Sequence, residues 1–289
     1  MKGHYSNILV PTDFSEQSLL ALEQSFTLAR LLNVEITLLH IFEKTNIHYA
    51  FGLLSREPSE EELNNNQESC YARLLQIAES SSKNSSIKVN PLLLNGVVHE
   101  KILGVAKDIY ARFIVMATNS SDPDKKKAFI GTTTANVILT APCPVLTFNG
   151  TNIRGNFETI ILPLDLTKQT QQKITKAIEF AKYYNSTIRV VSVLLTDEPD
   201  VVNRLTEQLK LVKEYIEKRD IFTTAKIIHG DPAAGGLTSY IIDFAYENNG
   251  DLIMIMTQQE VDAREQFLGS SAKAFITNAK IPVLSITPK

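Results

Sequence analysis

Two short stretches place an aspartate where it could do chemistry. In NILVPTDFSEQS, residues 7–18, Asp13 follows an apolar run that stops at Pro11 and Thr12. In TIILPLDLTKQT, residues 159–170, Asp165 takes the same place. A carboxylate there could accept hydrogen bonds from a ligand's amino or hydroxyl group. It could equally cap a helix, because Asp13-Phe14-Ser15-Glu16 has the D-x-x-E spacing of a capping box. The second copy breaks that box: Lys168 stands in place of Glu16, and Ser15 or Thr167 could cap instead. Both roles stay open on these residues. A second pair of motifs is GTT, Gly131-Thr132-Thr133, and GSS, Gly269-Ser270-Ser271, each ahead of a helical pattern. The first N–H groups of such a helix and its positive dipole end attract anions.

Other catalytic constellations are missing from the sequence. It has no P-loop, no GxSxG, no HExxH and no run of metal ligands. The five histidines (His4, His40, His48, His99, His229) are scattered, and Cys70 and Cys143 have no metal-ligand spacing, so reduced thiols in the cytoplasm are expected. A net charge of −3 gives no electrostatic argument for nucleic acid or an anionic membrane as partner. No apolar run approaches the roughly 20 residues that span a bilayer, and from MKGHYSN a secretory leader is not expected.

The elements that must position these residues occur twice. A shift of 152 positions pairs Pro11 with Pro163, Asp13 with Asp165, Ser15 with Thr167, Ala29 with Ala181 and Ile41 with Val193. A shift of 139 pairs IVMAT, ending at Ala117 and Thr118, with IMIMT, ending at Thr257. A shift of 138 then pairs GTT with GSS and APCPVL with AKIPVL. The shift drops because the first half carries extra residues, assigned to 45–66, where a polar, acidic stretch could be a lid or an interaction loop. The chain is thus a tandem duplication, with domains at 1–149 and 157–289 and a linker at about 149–156, NGTNIRGN.

Strand-like runs alternate with helical periodicity in each half. Strands are expected at 7–12, 34–42, 87–94, 112–118 and 144–148, with helices at 16–32, about 60–82, about 98–110 and about 132–140. In the second half the strands fall near 158–164, 187–194, 223–228, 251–257 and 282–287. The strands are continuous apolar runs, as in a parallel sheet buried on both faces. Each half therefore reads as a five-stranded, doubly wound α/β domain with right-handed crossovers. Such sheets bind ligands at the carboxyl ends of the strands, where strand order reverses, and Asp13 sits just beyond strand one.

ILVPTDFSEQS, HIFE after strand two, IVMAT, a Gly-Thr or Gly-Ser pair and APCPVL, in that order, resemble the universal stress proteins, and two copies resemble the tandem members of that family. The resemblance implies an adenine nucleotide alpha hydrolase-like, Rossmann-like fold with an ATP-type site in each domain. The strand-one aspartate and the residue after strand two would hold adenosine, and a glycine-rich loop after strand four would wrap the phosphates, with magnesium. It implies also that domains pair through their last strands, so that one chain forms its own pseudo-dimer. A homodimer and a protein partner are further expectations. The site implied in the first half is Pro11, Thr12, Asp13, Ile41, Ala117, Thr118, Asn119, Gly131, Thr132 and Thr133. The weaker counterpart is Asp165, Val193, Thr257, Gly269, Ser270 and Ser271.

The family's loop pattern, G-x2-G-x9-G-[S/T], is not complete in either copy. NSSDPDKKKAFI (119–130) and QQEVDAREQFL (258–268) contain no glycine. A phosphate cradle draws on glycine's freedom at positive φ, and another residue there costs about 1–3 kcal/mol unless the loop takes a different path. The first loop has a net charge of +1, with Lys125, Lys126 and Lys127, and the second has −2. Any nucleotide is therefore expected in the first half. GDPA, 230–233, keeps a family-like turn in the second, although Asp231 with Pro232 also reads as a helix N-cap followed by proline. The expected function is a cytoplasmic stress-response binding or regulatory module. A nucleotide-free pseudo-dimeric scaffold is the alternative, and a slow ATP-hydrolysing enzyme the third reading.

Overall fold

The computed structural model describes residues 7–43, 60–118, 130–149, 157–165, 170–231, 236–257 and 268–287. The first half contributes strands β1 (Asn7–Pro11), β2 (Glu35–Phe42), β3 (Val89–Asn95), β4 (Phe113–Ala117) and β5 (Val145–Phe148). Its helices are α1 (Glu16–Leu32), α2 (Glu60–Ser85), α3 (Val98–Asp108) and α4 (Thr132–Thr140). The second half repeats them as β6 (Thr159–Pro163), α5 (Thr170–Tyr184), β7 (Thr187–Leu194), α6 (Pro199–Glu217), β8 (Thr223–His229), α7 (Leu237–Glu247), β9 (Leu252–Met256), α8 (Ser270–Asn278) and β10 (Val283–Ile286). Of the segment assigned to the extra residues, 60–66 are the first turns of α2, while 45–59 and the linker after Asn149 lie outside the described residues.

Each half has the strand order 3-2-1-4-5, and all strands within a half are parallel. The order reverses between β1 and β4, and again between β6 and β9. The halves meet edge to edge: β10 runs antiparallel to β5, pairing Val283 with Thr147, Leu284 with Leu146 and Ser285 with Val145. One ten-stranded sheet results, with the two strand edges that would otherwise be open sealed against each other.

Alternation along the strands builds two cores that each run through both halves. Ile8, Val10, Leu38, Leu146, Leu252, Met254 and Leu284 face the side covered by α1, α2, α5 and α6. Leu9, Leu39, Ile114, Val145, Ile253, Ile255 and Val283 face α3, α4, α7 and α8. An aromatic group ties the halves together on the first side: Phe113 meets Phe180 edge-on at 6.1 Å, Phe180 meets Phe157 at 5.8 Å, and Arg112 lies 4.6 Å over the ring of Tyr183. A cleft of about 740 Å³ opens at this seam between α5 and the 141–144 turn.

Candidate functional site

The first switch point is built around the turn from β1 to α1. Pro11 is the last residue of β1, and the Thr12 N–H still donates to the Leu39 carbonyl at 2.8 Å. Ser15 is the N-cap of α1, its hydroxyl accepting from the Ser18 N–H at 3.2 Å. Asp13 is therefore not the cap, which corrects the capping-box reading. Its Oδ1 accepts from the Ser15 N–H at 3.0 Å, a local turn that leaves the carboxylate exposed at the strand end. Phe14 makes the turn close by taking φ 63°, and its N–H donates to the Thr12 hydroxyl at 3.0 Å. The buried Thr12 hydroxyl also lies 2.9 Å from that of Ser18, so Thr12 has a structural role.

His40, Phe14 and Arg73 support this turn. The His40 Nδ1–H donates to the Thr12 carbonyl at 2.7 Å, the His40 and Phe14 rings lie 4.2 Å apart, and the Arg73 guanidinium covers Phe14 at 4.7 Å. Burial lowers the His40 pKa below the ordinary histidine value, outweighing the Thr12 hydrogen bond and the nearby Asp13 charge. The ring is thus neutral at neutral pH, with its Nδ1 proton engaged. In the second half Ser192 takes this place and donates to the Leu164 carbonyl at 2.6 Å. None of His40, Phe14 or Arg73 was among the expected site residues. The one signal in the sequence was the HIFE run after strand two.

Ile41 and Val193 lie inside their strands, not after them. Ile41 of β2 pairs with Leu94 of β3, and its side chain is buried in the second core. Val193 pairs with Ile228 in β7 and is half-buried. Both strands, Glu35–Phe42 and Thr187–Leu194, end where expected, so neither residue is the one after strand two to which the resemblance assigns adenosine.

At the other side of the crevice, Ala117 ends β4 and the buried Thr118 closes onto β5, donating from its N–H and its hydroxyl to the Phe148 carbonyl at 3.0 and 3.2 Å. The Gly131 N–H returns to the Thr118 carbonyl at 3.4 Å, so strand end and helix start are stitched together. Asn119 and the rest of 119–129 lie outside the described residues. Gly131 is the N-cap of α4, at φ −61° and ψ 147°, with no side-chain cap bond. Any residue could adopt that backbone, and a Cβ at Gly131 would meet nothing nearer than the Thr118 oxygen at 3.9 Å. Neither strain nor packing asks for glycine here. Exposed Thr132 and half-buried Thr133 open the helix, whose first N–H groups have no partners within it.

The second half repeats the frame: Thr257 bonds the Ile286 carbonyl, Gly269 returns to Thr257 at 3.4 Å, and Gly269 caps α8, with Ser270 and Ser271 in its first turn. Asp165 is exposed beyond β6. Its crevice holds an unexpected group. Lys173, from the first turn of α5, is buried, and its Nζ donates to the Pro163 carbonyl at 2.7 Å. The signal available was the internal alignment, which sets Lys173 against Ala21. Burial lowers the Lys173 pKa to about 8, partly offset by the Asp165 charge. The remaining cavity, lined by Asp165, Lys173, Val193, Thr257, Gly269 and Ser271 among others, is about 110 Å³. As for GDPA, α7 begins at Leu237 with Gly236 as its N-cap, so Asp231 does not cap it; Pro232 lies outside the described residues.

Among the described residues no group of three or more His, Cys, Asp or Glu could hold a metal ion, and no helix is long and apolar enough to cross a membrane. Comparison with known proteins agrees with the duplicated frame. The model of the universal stress protein family matches twice, at residues 4–149 and 156–286. The universal stress protein MJ0577 of Methanocaldococcus jannaschii is 30% identical over 156 residues, covering 50% of this chain and 96% of that protein. A universal stress protein of Archaeoglobus fulgidus has a similar fold, with a TM-score of 0.74 at 19% identity over 98% of this chain and 96% of its own. Protein PA1789 of Pseudomonas aeruginosa follows, with a TM-score of 0.69 at 16% identity over 99% and 93% of the two chains. With its paired switch points, its paired glycine-capped helices and a family match in each half, the chain belongs to the universal stress protein family as a tandem two-domain member.

Proposed function

We propose that this tandem universal stress protein is a cytoplasmic stress-response binding module that holds one adenine nucleotide, of the ATP type, in its first half. The observation that carries the reading is the release of Asp13 from helix capping: Ser15 caps α1, and the Asp13 carboxylate stands exposed where strand order reverses. Asp13 would accept from a ribose hydroxyl or the adenine amino group, beside the backbone at Ile41. The N–H groups at Gly131, Thr132 and Thr133 would meet phosphate oxygens. Gly131, which the protein's own conformation does not require, fits a close approach by such a ligand. Bound magnesium would neutralise phosphate charge. Binding would report nucleotide level through the pseudo-dimer to a homodimer partner or another protein.

The test is the nucleotide content of the purified chain, denatured and analysed by mass and absorbance. The reading expects about one adenine nucleotide per chain, lost in Asp13→Asn with an unchanged ligand-free melting temperature. The glycine-free loops favour the second reading, a nucleotide-free scaffold. An empty protein with no thermal shift in millimolar ATP and magnesium would select the scaffold.

A further inference from the structure

The two switch points share a frame but not a floor. In the first half the position that matches the first turn of α5 is Ala21, fully buried in the core. In the second half the same position carries Lys173. A side chain in the first turn of a helix leans toward the helix N-terminus, here over the carboxyl end of β6. Lys173 belongs to a helix on one side of the sheet, and the cavity it lines is bounded by Leu164 and Met256 of that side and by Ile241, Ala272 and Phe275 of the opposite side. Its ammonium is held on the Pro163 carbonyl, the residue matching Pro11. What is left, about 110 Å³, falls well below the roughly 300–1,000 Å³ of pockets that enclose drug-sized ligands. A nucleoside could enter only by displacing the lysine from its buried acceptor. The adenine nucleotide that the family fold implies therefore does not fit the second half, although Asp165, Thr257 and Gly269 all remain.

We propose that Lys173 is the residue that closes the second crevice to adenine nucleotides, so that the duplicated chain binds at one half only. This rests on the first-half reading for the count of one per chain, but the closure itself is independent of it. A pseudo-dimer with a lysine in one crevice and an alanine at the matching position of the other is asymmetric by construction, so a ligand-driven change at one half is delivered to a partner half that does not compete for the ligand.

The test uses equilibrium dialysis of ATP with magnesium, and in parallel of adenosine, against the nucleotide-stripped full chain. Adenosine separates the plug from the −2 charge of the 258–268 loop, since it carries no phosphate. Asp13→Asn removes the first site, and in that background Lys173→Ala should create a new site, tightening adenosine binding by about tenfold or more. Lys173→Met, which keeps the length without the charge, should leave the crevice closed. A double variant that keeps the wild-type circular dichroism and melting temperature yet binds neither ligand overturns the proposal. Equal gain by the methionine variant overturns the steric basis. If Lys173→Ala does not fold, Ala21→Lys in the otherwise native chain asks the same question: it should abolish the first site, and full binding there refutes the plug. An empty wild-type chain whose Asp13→Asn/Lys173→Ala form binds adenosine would refute the first-half reading and support the plug.

Discussion

Replacing Lys173 with methionine should change how stability depends on pH, and the size of the change follows from its surroundings. Burial takes the Lys173 pKa from 10.5 to about 8, and one pKa unit is worth about 1.36 kcal/mol. Between those values the folded chain has released the proton and the unfolded chain still holds it. The unfolded state therefore binds more protons, and stability rises with pH across this window. The contribution is complete above pH 10.5 and is lost as pH falls through about 8. From about pH 7 to about pH 9.5 the gain is about 2 kcal/mol. Cys143, pushed up to about 12 by burial, and Tyr184, also raised by burial, act in the opposite sense, since their unfolded forms ionise first. Both are common to the two proteins and cancel in the difference. The chain has no tryptophan, so urea unfolding at the two pH values is best followed by far-UV circular dichroism. Wild type should gain about 2 kcal/mol relative to Lys173→Met on going to the higher pH. A difference that stays flat within about 0.5 kcal/mol would mean that Lys173 is not buried as a hindered cation.

Ser15→Ala should cost about 1 kcal/mol, the usual loss of an N-cap, while Asp13→Asn should stay within about 0.5 kcal/mol because it only replaces an exposed turn acceptor; paired urea melts decide which residue caps. Gly131→Ala should leave stability within about 1 kcal/mol, since the backbone suits alanine and the Cβ has room, while any nucleotide retained on purification should fall. Leu284→Ala at the β5–β10 seam removes a fully buried side chain opposite Leu146 and should cost about 2–5 kcal/mol, with the two halves melting less cooperatively in calorimetry. Asp251 accepts from the Glu158 and Thr159 N–H groups at 2.8 and 3.0 Å, so Asp251→Ala should orphan both and cost about 2 kcal/mol by chemical denaturation.

The duplication, the α/β alternation and most element limits could be read from the residues. Helices 16–32 and 132–140 and strand 187–194 come out as expected, because apolar spacing is a local property that tertiary contacts here reinforce. Gly131 and Gly269 could be placed at helix starts for the same reason. The roles inside the β1–α1 turn could not. Asp13 and Ser15 are both good N-caps, and only the path of the chain through Phe14 at positive φ lets Ser15 reach the helix N–H while Asp13 bonds outside it. Strand two, expected at 34–42, comes out as Glu35–Phe42, so Ile41 lies inside it in both, and what did not carry over is the resemblance's role for a residue after that strand.

By itself the sequence determined the two-copy plan, the parallel sheets and the switch points at which any ligand would sit, because these follow from repeat and periodicity. Tertiary structure alone decided how the copies differ in use. The resemblance expected the last strands to pair, but the register of β5 on β10 that turns two sheets into one is a matter of edges meeting in space. A lysine at position 173 reads in sequence as one more charge on a helix; its meaning comes from its burial and from a carbonyl, ten residues earlier in the chain, that receives the ammonium at the second crevice.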